Sequence, residues 1–329
     1  MATIVTGRQR AAGVALAIVA GFAAALQSRV NGTLAERTGD AYVVALLSFG
    51  SGLVVLLLAL ALSRPGRAAV ARLTHRLRDG GLRWWECLGG LGGAFFVSSQ
   101  GLTVGTLGVA VFTIALVAGQ SISSLVIDRA GLAPGGVRLI TVGRALGPVL
   151  TVVAVVVVSG SAASTAALGL AVLPLLAGVL QSFQQALNGR VRAAVRPTTA
   201  AERDGGVMAA TLGSFVVGTA ALLVVYAVSR AAVGHPDGAW PTDLPLDLLL
   251  YSGGLLGIVF IALQAAVVQR IGVLLLGLGM IAGQVVGALV LDAVSPGATP
   301  PGTATYVGAA LTLVAVAVPL VEGALRRHR

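Results

Sequence analysis

Residues 118–128 read AGQSISSLVID, and residues 282–292 read AGQVVGALVLD. Both stretches place Gly and Gln at the same positions, continue through apolar residues and end on Asp. Three more pairs of matching stretches precede these two and occur in the same order in both halves of the chain. They are QSRVNGTL (27–34) with QQALNGRV (184–191), SFGSG (48–52) with SFVVG (214–218), and LGGLGGAFFVSSQ (88–100) with SGGLLGIVFIALQ (252–264). The chain is therefore predicted to be a duplicated unit.

The composition predicts the solvent in which this unit folds. Of the 329 residues, 57% are hydrophobic and only 10% are charged, and the mean hydropathy is +0.95. Soluble domains carry about 25% charged residues, and so few charges cannot cover the surface of a soluble fold of this length. The sequence predicts an all-α polytopic membrane protein, since runs of about 20 apolar residues span a bilayer as helices.

Apolar runs bounded by charges or by Gly and Pro predict ten transmembrane helices. Five are expected in a first repeat, residues 1–160, at about 11–30, 41–62, 86–103, 107–129 and 139–158. Five more are expected in a second repeat, residues 161–329, at about 168–188, 206–228, 248–268, 271–291 and 305–322. Because five is odd, the second repeat must enter the membrane inverted relative to the first. Inverted repeats are typical of secondary transporters, in which they form two gates that open to opposite sides.

The chain resembles the drug/metabolite transporter (DMT) superfamily, and its YdcZ-type branch of ten-helix inner-membrane proteins in particular. The early QxxxNGxL, the SFxxG of helix 2 and the GQ…D of helix 4 carry this resemblance, which covers residues 11–322. It implies an inner-membrane carrier that exports small metabolites or toxic compounds. The expected partners are therefore the lipid bilayer and a small-molecule substrate.

Arginine positions predict the orientation. The net charge is +10, and the Arg residues before helix 1, between helices 2 and 3 and after helix 6 all fall on one side if both termini are cytoplasmic. They fall at the ends of apolar runs and form no compact basic domain, so no nucleic acid is expected as a partner. The first apolar run has features of a secretion signal. We predict that it is retained, because an equally apolar run ends on the same QxxxNG phrase in mid-chain.

Polar side chains inside a bilayer are candidates for function because their burial is costly. The predicted substrate pathway comprises Gln27, Asn31, Gln120, Gln184, Asn188 and Gln284. For Asn31 and Asn188 a helix end is an equal alternative, since Asn-Gly commonly stops a helix. For Gln120 and Gln284 the alternative is a hydrogen bond that joins helices. Amide and hydroxyl groups suit a polar or weakly charged solute, whereas a permanent cation would be expected to need a carboxylate.

Secondary candidates lie nearer the predicted helix ends. They are Gln100, Gln264, Ser48, Ser214, Asp128, Asp292 and Glu86. Solvated helix ends are the favoured interpretation of Asp128 and Asp292. No Asp, Glu or His falls in mid-membrane, so a proton-coupled mechanism would depend on the carboxylates at the edges. Coupling to another ion, exchange and facilitated diffusion are the alternatives.

Neither an enzyme nor a cofactor-binding protein is predicted. The single Cys87 and three scattered His residues provide no metal-ligand spacing and no catalytic residue. The glycine-rich GGLGGAFF lacks the strand–turn–helix setting of a dinucleotide site, and its glycines predict close helix packing. The function favoured by the sequence is secondary transport, with export by alternating access. The alternative is a non-transporting scaffold or regulatory protein of the same fold.

Overall fold

A computed structural model describes residues 7–132, 137, 142–160, 169–195, 197, 205–234, 238–243, 245–295 and 301–327. Within these ranges the chain is helical and contains no strand. We number the helices α1 (Gly7–Thr38), α2 (Ala41–Leu62), α3 (Arg64–Arg78), α4 (Gly90–Arg129), α5 (Val142–Gly160), α6 (Val172–Ala194), α7 (Gly205–Val233), α8 (Gly253–Val294) and α9 (Thr303–Arg327). Two short 3-10 turns occupy Trp84–Cys87 and Leu246–Tyr251.

Two of these helices each supply two of the ten spans. In α4 the backbone leaves the helical conformation at Gly108, with φ 76° and ψ 161°, so the predicted break at 103–107 is located there. In the first part of α8, Gly253 packs against Asn31 and Gly257 against Gln27, so this part runs antiparallel to α1. In the second part, Gly279 packs against Ala17 and Gly287 against Phe22, so this part runs parallel to α1. The second part of α8 therefore runs back beside the first. In the described part of the chain five helices are long and apolar enough to span a membrane, and the paired courses of α4 and α8 agree with the predicted all-α arrangement of two five-helix repeats.

The predicted end of the first helix is wrong. We expected α1 to stop near residue 30, but it continues through Asn31 and Gly32 to Thr38. Gly32 does not end the helix; it permits close packing, since a Cβ there would lie 2.6 Å from Val104 Cγ1. The sixth span likewise continues past Asn188 to Ala194. Neither Asn marks a helix end, because each amide bonds to a side chain on a neighbouring helix.

Helix α3 was not predicted, because its sequence, RPGRAAVARLTHRLR, is too polar to register as an apolar run. Ser63 Oγ accepts a hydrogen bond of 3.0 Å from Gly66 N at its start, and Pro65 occupies its first turn, as is common at helix N-termini. Gly66 and Ala69 are its buried face and pack against the start of α7. α3 therefore lies at one end of the bundle and joins the second and third spans.

The equivalent helices α2 and α7 lie antiparallel, which is the direct sign of inversion. The side chains of Asp40 and Arg230 pair at 2.8 Å at one end of the two helices. At the other end Gly205 packs on Pro65. Between them the rings of Phe49 and Phe215, which occupy matching positions in SFxxG, lie 5.0 Å apart between centroids. The two repeats are related by an axis perpendicular to the helices.

The repeats pack through close contacts between helices of one repeat and helices of the other. A side chain at Gly90 would collide with the carbonyl oxygen of Ser214, and one at the equivalent Gly254 would collide with that of Ser48. The core therefore lies at the interface between the repeats. We refer to the two ends of the bundle as the α3 end and the Asp40 end. The α3 end carries α3 and the Glu86–Arg190 pair at 2.7 Å, and the Asp40 end carries the Asp40–Arg230 pair.

Candidate functional site

A cavity of about 400 Å³ lies between the two repeats. Its polar lining is unusually rich in amides and comprises Gln27, Gln120, Ser121, Ser124, Gln181, Ser182, Gln184, Gln185, Asn188, Arg192, Thr211, Ser214 and Gln284. The lining also includes four aromatic side chains, those of Phe49, Phe96, Phe215 and Phe260. This volume is at the lower end of the range for small-molecule sites. Five of the six residues predicted for the pathway line the cavity.

The cavity reaches the α3 end of the bundle. Its lining continues from Gln181 along α6 to Arg192, and it includes the exposed Ser124 near the end of α4. That end of α4 lies beside Arg190, whose Nε donates a hydrogen bond of 2.8 Å to the carbonyl oxygen of Leu132. Because Arg190 also pairs with Glu86, these residues share one end of the molecule. The mouth of the cavity therefore faces the α3 end.

The Asp40 end of the same pathway is sealed. Asn31 Nδ2 donates a hydrogen bond of 2.7 Å to Gln100 Oε1, and Gln100 Nε2 donates one of 2.9 Å to Ser28 Oγ. Asn31 is 1% exposed and Gln100 is fully buried. Asn31, the sixth predicted pathway residue, is thus absent from the described cavity lining. It belongs to a side-chain network that closes this end, which we call the Asn31–Gln100–Ser28 seal.

Asn188, the equivalent of Asn31, has a different environment. It is half-buried, lines the cavity, and its Oδ1 accepts a hydrogen bond of 2.7 Å from Ser214 Oγ. The equivalent serine in the first repeat, Ser48, is 5% exposed, and its Oγ has no hydrogen-bond partner within the described ranges. Two identical pairs of residues thus have different bonding at the two ends. The side chain of Gln264, the equivalent of Gln100, lies outside the described residues.

The hydrogen bonds of the other glutamines in the lining differ from one residue to the next. Gln27 Nε2 donates a hydrogen bond of 2.9 Å to the carbonyl oxygen of Gly253. Gln120 Nε2 donates to Gln181 Oε1. Gln284 is 3% exposed and its Oε1 has no partner among the described residues. Buried polar atoms are nearly always hydrogen-bonded, and this oxygen belongs to a cavity-lining residue and lacks a described donor.

The predicted solvated helix end is wrong for Asp292. Its carboxylate is 5% exposed and accepts hydrogen bonds from Val109 N at 3.0 Å and Ala110 N at 2.7 Å. The break at Gly108 creates a helix start inside the bundle, whose free N–H groups need an acceptor. Asp292 therefore caps the second part of α4. Its equivalent Asp128 is half-buried in the last turn of α4.

Glu86 lies in the 3-10 turn before α4 and is 8% exposed. It accepts hydrogen bonds from Arg190 Nη1 at 2.7 Å and from the backbone N of Arg83 at 2.9 Å. Glu86 thus joins the turn before α4 to the end of α6. It is absent from the described lining of the cavity.

Sequence reasoning missed seven polar lining residues: Ser121, Ser124, Gln181, Ser182, Gln185, Arg192 and Thr211. The stretch QSFQQ at 181–185 contains three of them within one apolar run, and this density was an available signal. Gln181 and Ser182 have no polar equivalents in the first repeat, where Ala24 and Ala25 stand, so a search for repeated residues passes over them. Among the described residues, no group of three or more His, Cys, Asp or Glu side chains could hold a metal ion.

Fold and cavity together define a class: ten-helix membrane proteins built from two inverted repeats around a central polar cavity. The family model described as "Putative inner membrane exporter, YdcZ" matches the chain at residues 12–157 and 169–318. The chain belongs to this family. It is a multi-pass protein of the inner membrane, and the family assignment supports a transporter role.

A solved structure shows the same fold. A protein crystal structure with 19% sequence identity matches 95% of this chain and 97% of its own, with a TM-score of 0.57. This likeness extends across both repeats and concerns the fold alone. No curated protein sequence shows a significant match to the chain.

Proposed function

We propose that the protein is a secondary transporter that exports a small polar molecule by alternating access. One observation carries the proposal: an amide-lined cavity between inverted repeats is open at the α3 end and sealed at the Asp40 end. The family assignment agrees with a transport role rather than an enzymatic one. We further propose that the repeats divide at residues 160/161, as the matching stretches indicate.

The two access states follow from exchanging the roles of the repeats. In the state described, Asn31 bonds to Gln100 and Asn188 bonds to Ser214. In the opposite state, Asn31 would bond to Ser48 and Asn188 would bond to Gln264. Ser48 Oγ supports this exchange, because it is buried and has no partner in the part of the chain that the structure describes. A cycle would therefore consist of two asparagines exchanging partners as the cavity opens at alternate ends.

The pathway residues have distinct roles in this proposal. Gln27, Gln120, Gln184 and Gln284 contact the solute, since all four line the cavity. Asn31 and Asn188 operate the gates. Gln100, Ser48 and Ser214 are their alternate partners, as we propose for Gln264. Asp292 and Glu86 hold helix ends in place and are not part of the solute's path.

The α3 end is proposed to face the cytoplasm, so that both termini are cytoplasmic and the described state receives solute from inside the cell. The Arg residues of α3 support this orientation. Two exposed threonines test it, Thr74 on α3 and Thr242 at the opposite end. In a Cys87→Ala background, an impermeant thiol reagent added to intact cells should label Thr242→Cys and not Thr74→Cys. The reverse pattern would overturn the orientation.

The transport proposal is tested by comparing metabolites in cells and medium. Cells would express the wild type, the Gln120→Ala/Gln284→Ala double variant, or Thr312→Val at matched membrane abundance. Thr312 is a suitable control because its buried hydroxyl bonds only to Gly308 O in its own helix. A solute should move to the medium with the wild type and with Thr312→Val, but not with the double variant.

The same comparison separates transport from the scaffold alternative. A scaffold predicts that no solute differs between any of the strains, while the double variant alters stability or assembly. That result, with all proteins folded and inserted, would overturn the transport proposal.

A further inference from the structure

The charge in the described cavity lining is positive only. Arg192 is the only charged residue among the described lining residues, which include no Asp or Glu. Near the α3 end Glu86 pairs with Arg190, and Asp79 pairs with His75 and Arg76. The half-buried Asp128 lies one turn beyond Ser124 and is absent from the described lining. Arg192 itself has no ion-pair partner in the described part of the chain. A half-exposed guanidinium at the mouth therefore gives the entrance a positive potential.

A second observation comes from the interior. Gln284 Oε1 is buried in the cavity wall without a donor. A solute that satisfies it must carry an N–H or O–H group. The four aromatic rings in the lining, those of Phe49, Phe96, Phe215 and Phe260, suit an apolar body. The cavity thus provides for three features of a solute: a negative charge, a hydrogen-bond donor and a small apolar body.

We propose that the solute is a small organic anion, a carboxylate with an apolar body and a donor group, which Arg192 attracts at the mouth. This inference rests on the proposed function, because it names the class of molecule that the same cavity carries. Gln284 then accepts a hydrogen bond from the donor group inside. Cationic solutes are disfavoured because the described lining offers them no carboxylate.

A solute would contact Arg192 and Gln284 one after the other rather than at the same time. Arg192 follows Gln181 by eleven residues along α6, which corresponds to about 16 Å of helix. Helical side chains lean toward the N-terminus of their helix, so we expect the Arg192 side chain to lean toward Asn188. A small anion would meet Arg192 first and the glutamines afterwards. Loss of Arg192 should therefore weaken the capture of anions, whereas loss of Gln284 should weaken binding inside.

The inference is tested with three probes of nearly the same shape that all carry a phenolic O–H donor: 4-hydroxybenzoate, 4-hydroxybenzamide and 4-hydroxybenzylammonium, which we shorten to benzoate, benzamide and benzylammonium. Their binding to the purified full chain would be measured by calorimetry at low ionic strength. Benzoate should bind best and benzylammonium worst. Arg192→Gln should weaken benzoate binding by about tenfold, since hydrogen bonds to charged groups are among the stronger ones. It should leave benzamide binding unchanged, and Arg192→Lys should restore most of the loss for benzoate. Arg78→Gln, on the exposed part of α3, is the matched control and should have no effect.

Gln284→Met and Gln284→Glu probe the interior with side chains of similar size. Gln284→Met should weaken benzamide binding, because the phenolic O–H loses its acceptor. Gln284→Glu should abolish benzoate binding and admit benzylammonium. Equal binding of the three probes to the wild type, or a preference for the cation, would overturn the inference.

The metabolite comparison distinguishes failure of the inference from failure of the proposed function. If wild-type cells export cations and Arg192→Gln does not alter their export, transport stands and the anion proposal falls. If no solute is exported by any strain, the transport proposal itself falls.

Discussion

Asn31 Nδ2 lies 2.7 Å from Gln100 Oε1 in a seal with almost no solvent exposure. The equivalent Asn188 lines an open cavity and bonds to Ser214. Asparagines at equivalent positions of the two repeats thus have different partners in one structure, and this difference indicates which end of the pathway is closed.

Breaking the seal should open the Asp40 end. Gln100→Ala removes the acceptor for Asn31 and the donor to Ser28, which leaves a buried amide unpaired at a cost of about 1–3 kcal/mol. A reporter is Val104→Cys in a Cys87→Ala background, because Val104 is 1% exposed beside Gly32. Impermeant thiol reagents should label it at least several-fold faster when Gln100 is replaced.

The control for this experiment is Thr103→Val, whose lost hydroxyl bonds only to Ser99 O in the same helix. It should leave the labelling rate of Val104→Cys unchanged. Equal acceleration by Gln100→Ala and Thr103→Val would mean that loss of any polar side chain loosens this region. The Asn31–Gln100–Ser28 seal would then not be what closes this end.

The two serines of the SFxxG motifs should behave differently in stability and alike in transport. Ser214→Ala removes a hydrogen bond to Asn188 and should lower the free energy of unfolding by about 1 kcal/mol. Ser48→Ala should cost little, because Ser48 Oγ has no hydrogen-bond partner among the residues described. Both should slow transport, since each serine is needed in one of the two states. Thermal unfolding in detergent and solute export measure the two effects, and normal export by Ser48→Ala would contradict the exchange of partners.

Asp292 should be required for the second part of α4. Asp292→Ala exposes two backbone N–H groups to a dry interior and should lower the free energy of unfolding by about 1–2 kcal/mol. Asp292→Asn keeps one acceptor oxygen and should lose less. Hydrogen exchange at Val109 and Ala110 measures the local effect directly. Unchanged protection in Asp292→Ala would show that the carboxylate is not the cap.

Glycine positions offer a packing test with an internal control. A methyl group at Gly283 would collide with the backbone of Ile18, 2.8 Å from its carbonyl carbon, whereas one at Gly50 meets nothing within 4 Å. Gly283→Ala should lower the free energy of unfolding by about 1–3 kcal/mol or prevent folding. Gly50→Ala should be neutral or stabilising, because Ala is the better helix former. Comparable losses in the two variants would contradict the close packing of α1 on α8.

The sequence predicted the ten spans, the duplication and the inversion, because hydropathy and matching motifs report these properties residue by residue. It could not place Asn31 correctly, since Asn-Gly is equally compatible with a helix end and with a bond to a distant glutamine. It could not foresee the burial of Asp292, which depends on a break at Gly108 in another helix. α3 was missed because its burial rests on Gly66 and Ala69, which carry almost no hydrophobic signal. Partners remote in sequence account for most of what the pattern could not predict.

The most direct test of alternating access is the labelling of Ser48→Cys and Ser214→Cys, separately, in a Cys87→Ala background. Small impermeant methanethiosulfonates would be added to right-side-out and inside-out vesicles, with and without Asn31→Ala, which breaks the seal. Ser214→Cys should react from the α3 side and Ser48→Cys from the opposite side. Asn31→Ala should raise the rate at Ser48→Cys and lower it at Ser214→Cys. Rates that rise together, or a Ser48→Cys that reacts from neither side, would contradict alternating access.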